Sequence, residues 1–147
     1  MRSGVILLVE DNRDDAELAV RAFQKSGIKN EIARAGDGVE ALDYLFGTGP
    51  HTAHPPAPPD LVLLDLKLPR VDGLEVLRRL RASQRTRHLP VVILTSSEQE
   101  QDIVLSYDLG ANSYVRKPVD FVEFAEAIRQ LVSYWLALNQ TASRPGP

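Results

Sequence analysis

At 147 residues, with 44% hydrophobic and 25% charged side chains, the sequence has the size and make-up of one globular domain with a proper core. A formal charge of −3 leaves nucleic-acid binding without support, and the absence of cysteine excludes disulfides, thiolate metal sites and cysteine catalysis. The apolar run Val5 to Val9 is too short for a membrane span or a signal peptide, so a cytoplasmic protein with no membrane association is expected.

Val5-Ile6-Leu7-Leu8-Val9 reads as a strand buried on both faces, and it ends on the acidic pair Glu10-Asp11. Asn12 or Asp14 can cap the helix that follows, whose stripe is Ala16, Ala19, Val20 and Phe23, and Gly27 stops it. Glu31 to Ala35 is a modest strand, and Asp37 starts a helix carrying Val39, Leu42 and Leu45. Residues 47–60 hold five prolines and no large apolar side chain, which predicts a loop extended around Pro55 to Pro59. His51 and His54 lie in this loop with no carboxylate close by, and are read as solvated.

Leu61-Val62-Leu63-Leu64 is a second buried-strand run, and it leads straight into Asp65. Val71-Asp72-Gly73 turns into a helix with Leu74, Leu77 and Leu80, flanked by Arg78, Arg79 and Arg81 as a solvated face. Val91 to Leu94 is a third buried run and ends on Thr95-Ser96-Ser97. A weakly amphipathic helix covers roughly Glu100 to Leu109, closed by Gly110, and Ser113 to Arg116 is a short strand running into Lys117-Pro118. The last helix, Asp120 to Leu138, carries a stripe of Phe121, Phe124, Ile128, Leu131 and Trp135, and the final residues 139–147 are read as a tail.

Five successive βα units predict an α/β fold with a parallel sheet covered by helices on both faces. They suit the doubly wound, flavodoxin-like (βα)5 order 2-1-3-4-5, whose switch point lies between strands 1 and 3. Glu10-Asp11 and Asp65 therefore meet at the one place where this topology makes a site. Two carboxylates about 4 Å apart cost roughly 4 kcal/mol at an effective dielectric of 20, so a cation or raised pKa values must offset them. Oxygen ligands select a hard ion, and few carboxylates plus water suit Mg²⁺. Thr95 brings a hydroxyl and Lys117 an ammonium to the neighbouring strand ends, completing a phosphoryl-transfer set in which a carboxylate attacks phosphorus. Singly, Asp65 could be a turn residue, Thr95 a helix cap and Lys117 a solvated lysine. At four strand ends of one sheet, chance explains them poorly.

The pieces VILLVEDN, LVLLDLKLPRVDG, VVILTSS and NSYVRKP resemble, in that order, the receiver domain of two-component response regulators. The resemblance spans essentially residues 4–138. It implies that Asp65 is the phosphoacceptor, that Asp11 binds Mg²⁺ directly and Glu10 through water, and that the Lys67 backbone carbonyl is a further metal ligand. Thr95 and Lys117 would contact the phosphoryl group, and Lys117-Pro118 would be a cis peptide. On phosphorylation Thr95 would move toward the new oxygens and Tyr114 would turn inward to fill the space it leaves, although Tyr114 also reads as a half-buried strand aromatic. The donor would be a sensor histidine kinase, and the output would be protein contacts with a downstream target.

A narrower resemblance, carried by the proline-rich loop, the Glu-Asp-Asn context and SYWLALN, is to the small regulators that partner bacterial phytochrome kinases. In that group pairs form through the helix 4 to helix 5 side. Here Val132, Trp135 and Leu136 could make a dimer seam, or simply shield the helix's own core. The expected molecule is thus a stand-alone receiver domain over residues 1–138, not an enzyme, with no output domain. The rival reading is a Mg²⁺-dependent aspartyl-phosphate phosphatase or phosphotransferase on a related fold. It wants a second acid near the nucleophile, and Lys67 stands two residues after Asp65 instead. A nucleotide binder is disfavoured because the acidic stretch Glu10 to Asp14 would repel phosphate.

Overall fold

The computed structural model describes residues 4–27 and 29–138. The strands are β1 (Val5–Val9), β2 (Glu31–Ala35), β3 (Leu61–Leu64), β4 (Val91–Thr95) and β5 (Ser113–Arg116). They alternate with helices α1 (Arg13–Lys25), α2 (Gly38–Phe46), α3 (Gly73–Ala82), α4 (Glu100–Asp108) and α5 (Phe121–Val132). The strands form one parallel sheet in the order β2-β1-β3-β4-β5, as the βα alternation predicts. Val9 pairs with Ala35 on one side and Leu64 on the other, so β1 and β3 end abreast.

Side-chain alternation along the strands divides the core into two layers. Leu7, Val9, Val62, Leu64, Val91 and Ile93 face Leu42 and Leu45 of α2 and Val76, Leu77 and Leu80 of α3. Ile6, Leu8, Leu61, Leu63, Val92 and Leu94 face Ala16, Ala19 and Phe23 of α1 and Phe124 and Ile128 of α5. This double burial is why the three central strands are continuously apolar, each large side chain contributing about 1.5–3 kcal/mol. Asn12, Asp37, Asp72 and Asp120 cap α1, α2, α3 and α5 through their side-chain oxygens. Asn12, rather than Asp14, fills the first of these positions.

Five expectations need correction. Val132 is not a seam residue, because it is 4% exposed and packed in the α1–α5 core layer. The buried stripe of α5 runs Phe124, Ile128, Val132, one residue every four, which leaves Phe121 and Leu131 only half-buried. Beyond Val132 the chain widens into a π-helical segment, Ser133–Leu138, whose longer hydrogen-bond spacing turns Trp135 and Leu136 off that stripe, half-buried against its edge.

Arg81 is not part of a solvated face. Its guanidinium donates to the carbonyls of Gly110 (2.9 Å), Arg87 (3.0 Å) and Leu89 (2.8 Å) and to Asn112 Oδ1 (2.9 Å), joining the end of α3 to the turn after α4. Gly110, at φ +102°, packs its backbone against the same side chain. Arg78 and Arg79 are exposed, as expected, and pair with Glu75. The Lys117–Pro118 peptide is trans, the form that X–Pro bonds favour by about 0.5–1 kcal/mol.

The proline-rich loop contains one short 3₁₀ turn, Gly49–His51, and His51 sets its ring edge-on to Tyr44 at 5.4 Å rather than standing free in solvent. The tail, 139–147, lies outside the described residues.

Candidate functional site

Two ladder bonds continue past the strands and fix the acidic residues. Glu10 N–H donates to the Ala35 carbonyl (3.0 Å), and Asp65 N–H donates to the Val9 carbonyl (3.1 Å). The sheet therefore sets where both side chains leave the backbone. Glu10 and Asp65 are 4% and 7% exposed, whereas Asp11 is open to solvent. Each of the three offers a carboxylate oxygen within 4.8 Å of the others, and among the described residues this is the acidic cluster able to hold a cation.

Lys117 is delivered by β5, its N–H bonded to the Thr95 carbonyl at 2.7 Å. Its ammonium donates to Glu10, to Asp65 Oδ2 at 3.1 Å and to Asp15 Oδ2 at 3.1 Å. Asp15 was not singled out in the sequence. Its signal was there: the cap at Asn12 turns the first residues of α1 back over the strand end, where an acid at the third helical position faces the site. Lys67 points into solvent, while its backbone N–H donates to Asp65 Oδ1 at 3.3 Å. Thr95 is fully buried at the end of β4. Tyr114 is half-buried, and its hydroxyl donates to the Ser97 carbonyl at 2.8 Å. The Ser97 hydroxyl in turn donates to Asp102, a second acid that the sequence reading passed over.

The charges do not balance. Glu10, Asp15 and Asp65 share one ammonium, and Asp11 adds a fourth carboxylate beside Glu10 and Asp65. Burial pushes the Glu10 carboxyl up to about 7, and the charge of Asp65 pushes the same way against the opposing Lys117. Burial alone would lower Lys117, but its hydrogen bond to Glu10 and the charges of Asp65 and Glu10 outweigh that and hold it above the usual lysine range. An excess of hard oxygen donors beside an open rim fits a divalent cation. Glu10, Asp11 and Asp65 would hold it, and it would supply positive charge for the oxygens of an incoming anion.

A doubly wound sheet with this acid, hydroxyl and ammonium set at its strand ends defines a receiver domain of two-component signalling. The sequence matches the response regulator receiver domain family over residues 6–129, and the chain belongs to that family. Receiver domains are signalling proteins rather than typical enzymes. The chain is 42% identical over 143 residues to the probable methanogenesis regulatory protein FilR2 of Methanothrix harundinacea (97% of this chain, 88% of that one). It is 36% identical over 132 residues to response regulator Rcp1 of Synechocystis (90% and 88%).

Among solved structures, the phosphorylated cyanobacterial phytochrome response regulator RcpA superposes with a TM-score of 0.90 at 35% identity, covering 97% of this chain and 100% of that one. The manganese-bound form of Rcp1 gives 0.88 at 34% identity (95% and 99%). The bacteriophytochrome response regulator AtBRR gives 0.75 at 52% identity (95% and 100%). Among the described residues no helix is long and apolar enough to cross a membrane.

Proposed function

We propose that this protein is a Mg²⁺-dependent phosphoacceptor in which Asp65 serves as the acceptor. The phosphohistidine of a sensor kinase would lose its N–P bond as an Asp65 carboxylate oxygen forms the new O–P bond, with the imidazole as leaving group. Asp11 would hold the cation directly and Glu10 through water, with Asp65 and the Lys67 carbonyl as its further protein ligands. Lys117 and Thr95 bind the phosphoryl oxygens. The observation that carries this reading is the Asp65 carboxylate lying on a rigid strand end, 3.1 Å from Lys117 and within the acidic cluster. Mg²⁺ suits a site with few carboxylates and room for water, and the manganese-bound structure of Rcp1 supports a divalent ion in this class of site.

The kinase belongs, on this reading, to the bacterial phytochrome class, which the 52% identity to AtBRR supports. Phosphorylation draws Thr95 toward the new oxygens and releases Tyr114 from Ser97 to turn inward. The altered α4–β5–α5 surface then binds a downstream protein target or a second copy of the chain. Exposed Val104, Leu105 and Tyr107 on α4 and Val122 on α5 give that side an apolar surface to bury.

The test is an intact mass after incubation with acetyl phosphate and Mg²⁺, with Asp65→Asn alongside. Gain of one phosphoryl group by the wild type alone, abolished by a chelator, supports the reading. No gain, with steady release of phosphate, favours a phosphatase; no gain and no release leaves a receiver fold without acceptor chemistry.

A further inference from the structure

Among the described residues, Arg70 is the one non-glycine residue with positive φ, at +67°. A side chain with a Cβ is strained in the left-handed region, and such a conformation persists only where its surroundings over-determine it. Here they do so from two sides. Arg70 Nε stands 3.1 Å from Asp37 Oδ2 and Nη2 3.4 Å from Asp37 Oδ1, a two-pronged ion pair across 33 residues of sequence. Asp37 is itself fixed, because the same carboxylate caps α2 by accepting from Glu40 N–H at 2.8 Å. Burial would raise the Asp37 carboxyl, but the Glu40 N–H and the Arg70 guanidinium outweigh it and keep the group ionised.

The backbone makes the same junction. Gly38 N–H donates to the Pro69 carbonyl at 3.4 Å, and a Cβ on Gly38 would stand 1.9 Å from the Val71 carbonyl oxygen. The segment between β3 and α3 thus lies directly on the first turn of α2. At its base the same segment is closed by Gly73 N–H on the Leu66 carbonyl at 2.9 Å, and Gly73 has no room for a Cβ beside the Asp65 carbonyl, 2.2 Å away. Lys67 lies between the two fastenings, three residues before Arg70, with its N–H on Asp65 Oδ1.

We infer that Asp37 and Arg70 are positioning residues for the cation site: their ion pair holds the β3–α3 segment so that the Lys67 carbonyl is presented beside Asp65. The inference rests on the proposed use of that carbonyl as a ligand. Neither residue touches the cation. They act through three residues of backbone whose other end is pinned at Gly73.

Two substitutions separate this role from a merely structural one. Asp37→Asn keeps the helix cap, since asparagine caps as well as aspartate, and removes only the charge. Arg70→Gly suits the left-handed backbone while removing the guanidinium together with its aliphatic stem. Mn²⁺ is titrated into the full chain and the EPR signal of the free ion followed, with thermal unfolding of the metal-free proteins measured alongside. Each variant is expected to weaken Mn²⁺ binding about tenfold, the low end for groups that orient ligands. The double variant should be no weaker than either single one, Arg70→Lys should recover part of the loss, and metal-free melting should barely move. Wild-type Mn²⁺ affinity in Asp37→Asn, or a lower melting temperature with unchanged affinity, overturns the inference while leaving the cation site standing. A wild-type chain that binds no Mn²⁺ overturns both.

Discussion

Lys117 Nζ and Asp65 Oδ2 stand 3.1 Å apart, joining the end of β5 to the end of β3 across the end of β4. The same ammonium also serves Glu10 and Asp15. One cation therefore does for the empty-handed carboxylates what a divalent ion and a phosphoryl group would rearrange.

Removal of that ammonium should be costly. Lys117→Ala leaves Glu10 and Asp65 nearly buried and unpaired, and a stability loss of about 3 kcal/mol is expected at mildly alkaline pH without divalent ions. Adding Mg²⁺ should restore more stability to the variant than to the wild type. Urea unfolding of both proteins, with and without Mg²⁺, checks this. A loss below about 1 kcal/mol would show that the carboxylates do not depend on the ammonium.

Glu10 should make cation binding depend on pH. Between the ordinary 4.5 and about 7 the folded chain keeps a proton on Glu10 that the unfolded chain has released. The metal-free protein therefore loses stability as pH rises through that window. Lys117 is raised as well, but from the lysine range, so its contribution persists through neutrality and is lost only at strongly alkaline pH. A cation must displace the Glu10 proton, so affinity should be about tenfold weaker near pH 6 than near pH 8. Calorimetry in two buffers of different ionisation enthalpy should detect proton release near pH 6; its absence there would count against the raised carboxyl.

Lys67 separates its side chain from its backbone. The side chain is exposed at the rim of a groove of about 510 Å³ that Asp11, Asp72 and Asp102 also line. Lys67→Ala should change the dephosphorylation rate severalfold and leave Mg²⁺ affinity nearly intact. Decay of the phosphorylated form followed by intact mass, beside a Mg²⁺ titration, decides it. Unchanged decay would refute the assignment.

Self-association should follow exposure rather than position on the last helix. Val132→Ala should cost about 2 kcal/mol through a core cavity and leave any dimer unchanged. Leu105→Glu, at a side chain 46% exposed on α4, should weaken association while stability changes by less than about 0.5 kcal/mol. Sedimentation and chemical unfolding of the two variants distinguish the outcomes, and a dimer indifferent to Leu105→Glu would place the interface elsewhere.

The strands and their order were legible because burial on both faces leaves an unbroken apolar run, and three such runs, with the short strand Ser113 to Arg116, ended in polar residues. Those endings named Glu10, Asp11, Asp65, Thr95 and Lys117 without any structure. What escaped were partners chosen by three-dimensional approach. Asp15 looks like any acid in a helix's first turn, and Arg81 sits in a basic run that solvates two of its three members. The Arg70–Asp37 pair spans an entire α2 and β3, and nothing in local pattern links the two. Val132 was misplaced by one helical phase. A heptad-like stripe through Phe121 and Trp135 and a four-residue stripe through Phe124 and Ile128 fit the same sequence, and only contact with α1 selects the second.

The bonds of Arg81 also fasten the two ends of α4 unequally. Its trailing end is riveted through Gly110 to the end of α3 and to the threshold of β4, by a guanidinium with four hydrogen bonds under 3.1 Å. Its leading end is moored by the Ser97–Asp102 contact, beside a loop whose other tie is the Tyr114 hydroxyl. The firmer fastening of α4 therefore lies at Gly110, and the lighter one beside Ser97, at the end nearer Asp65.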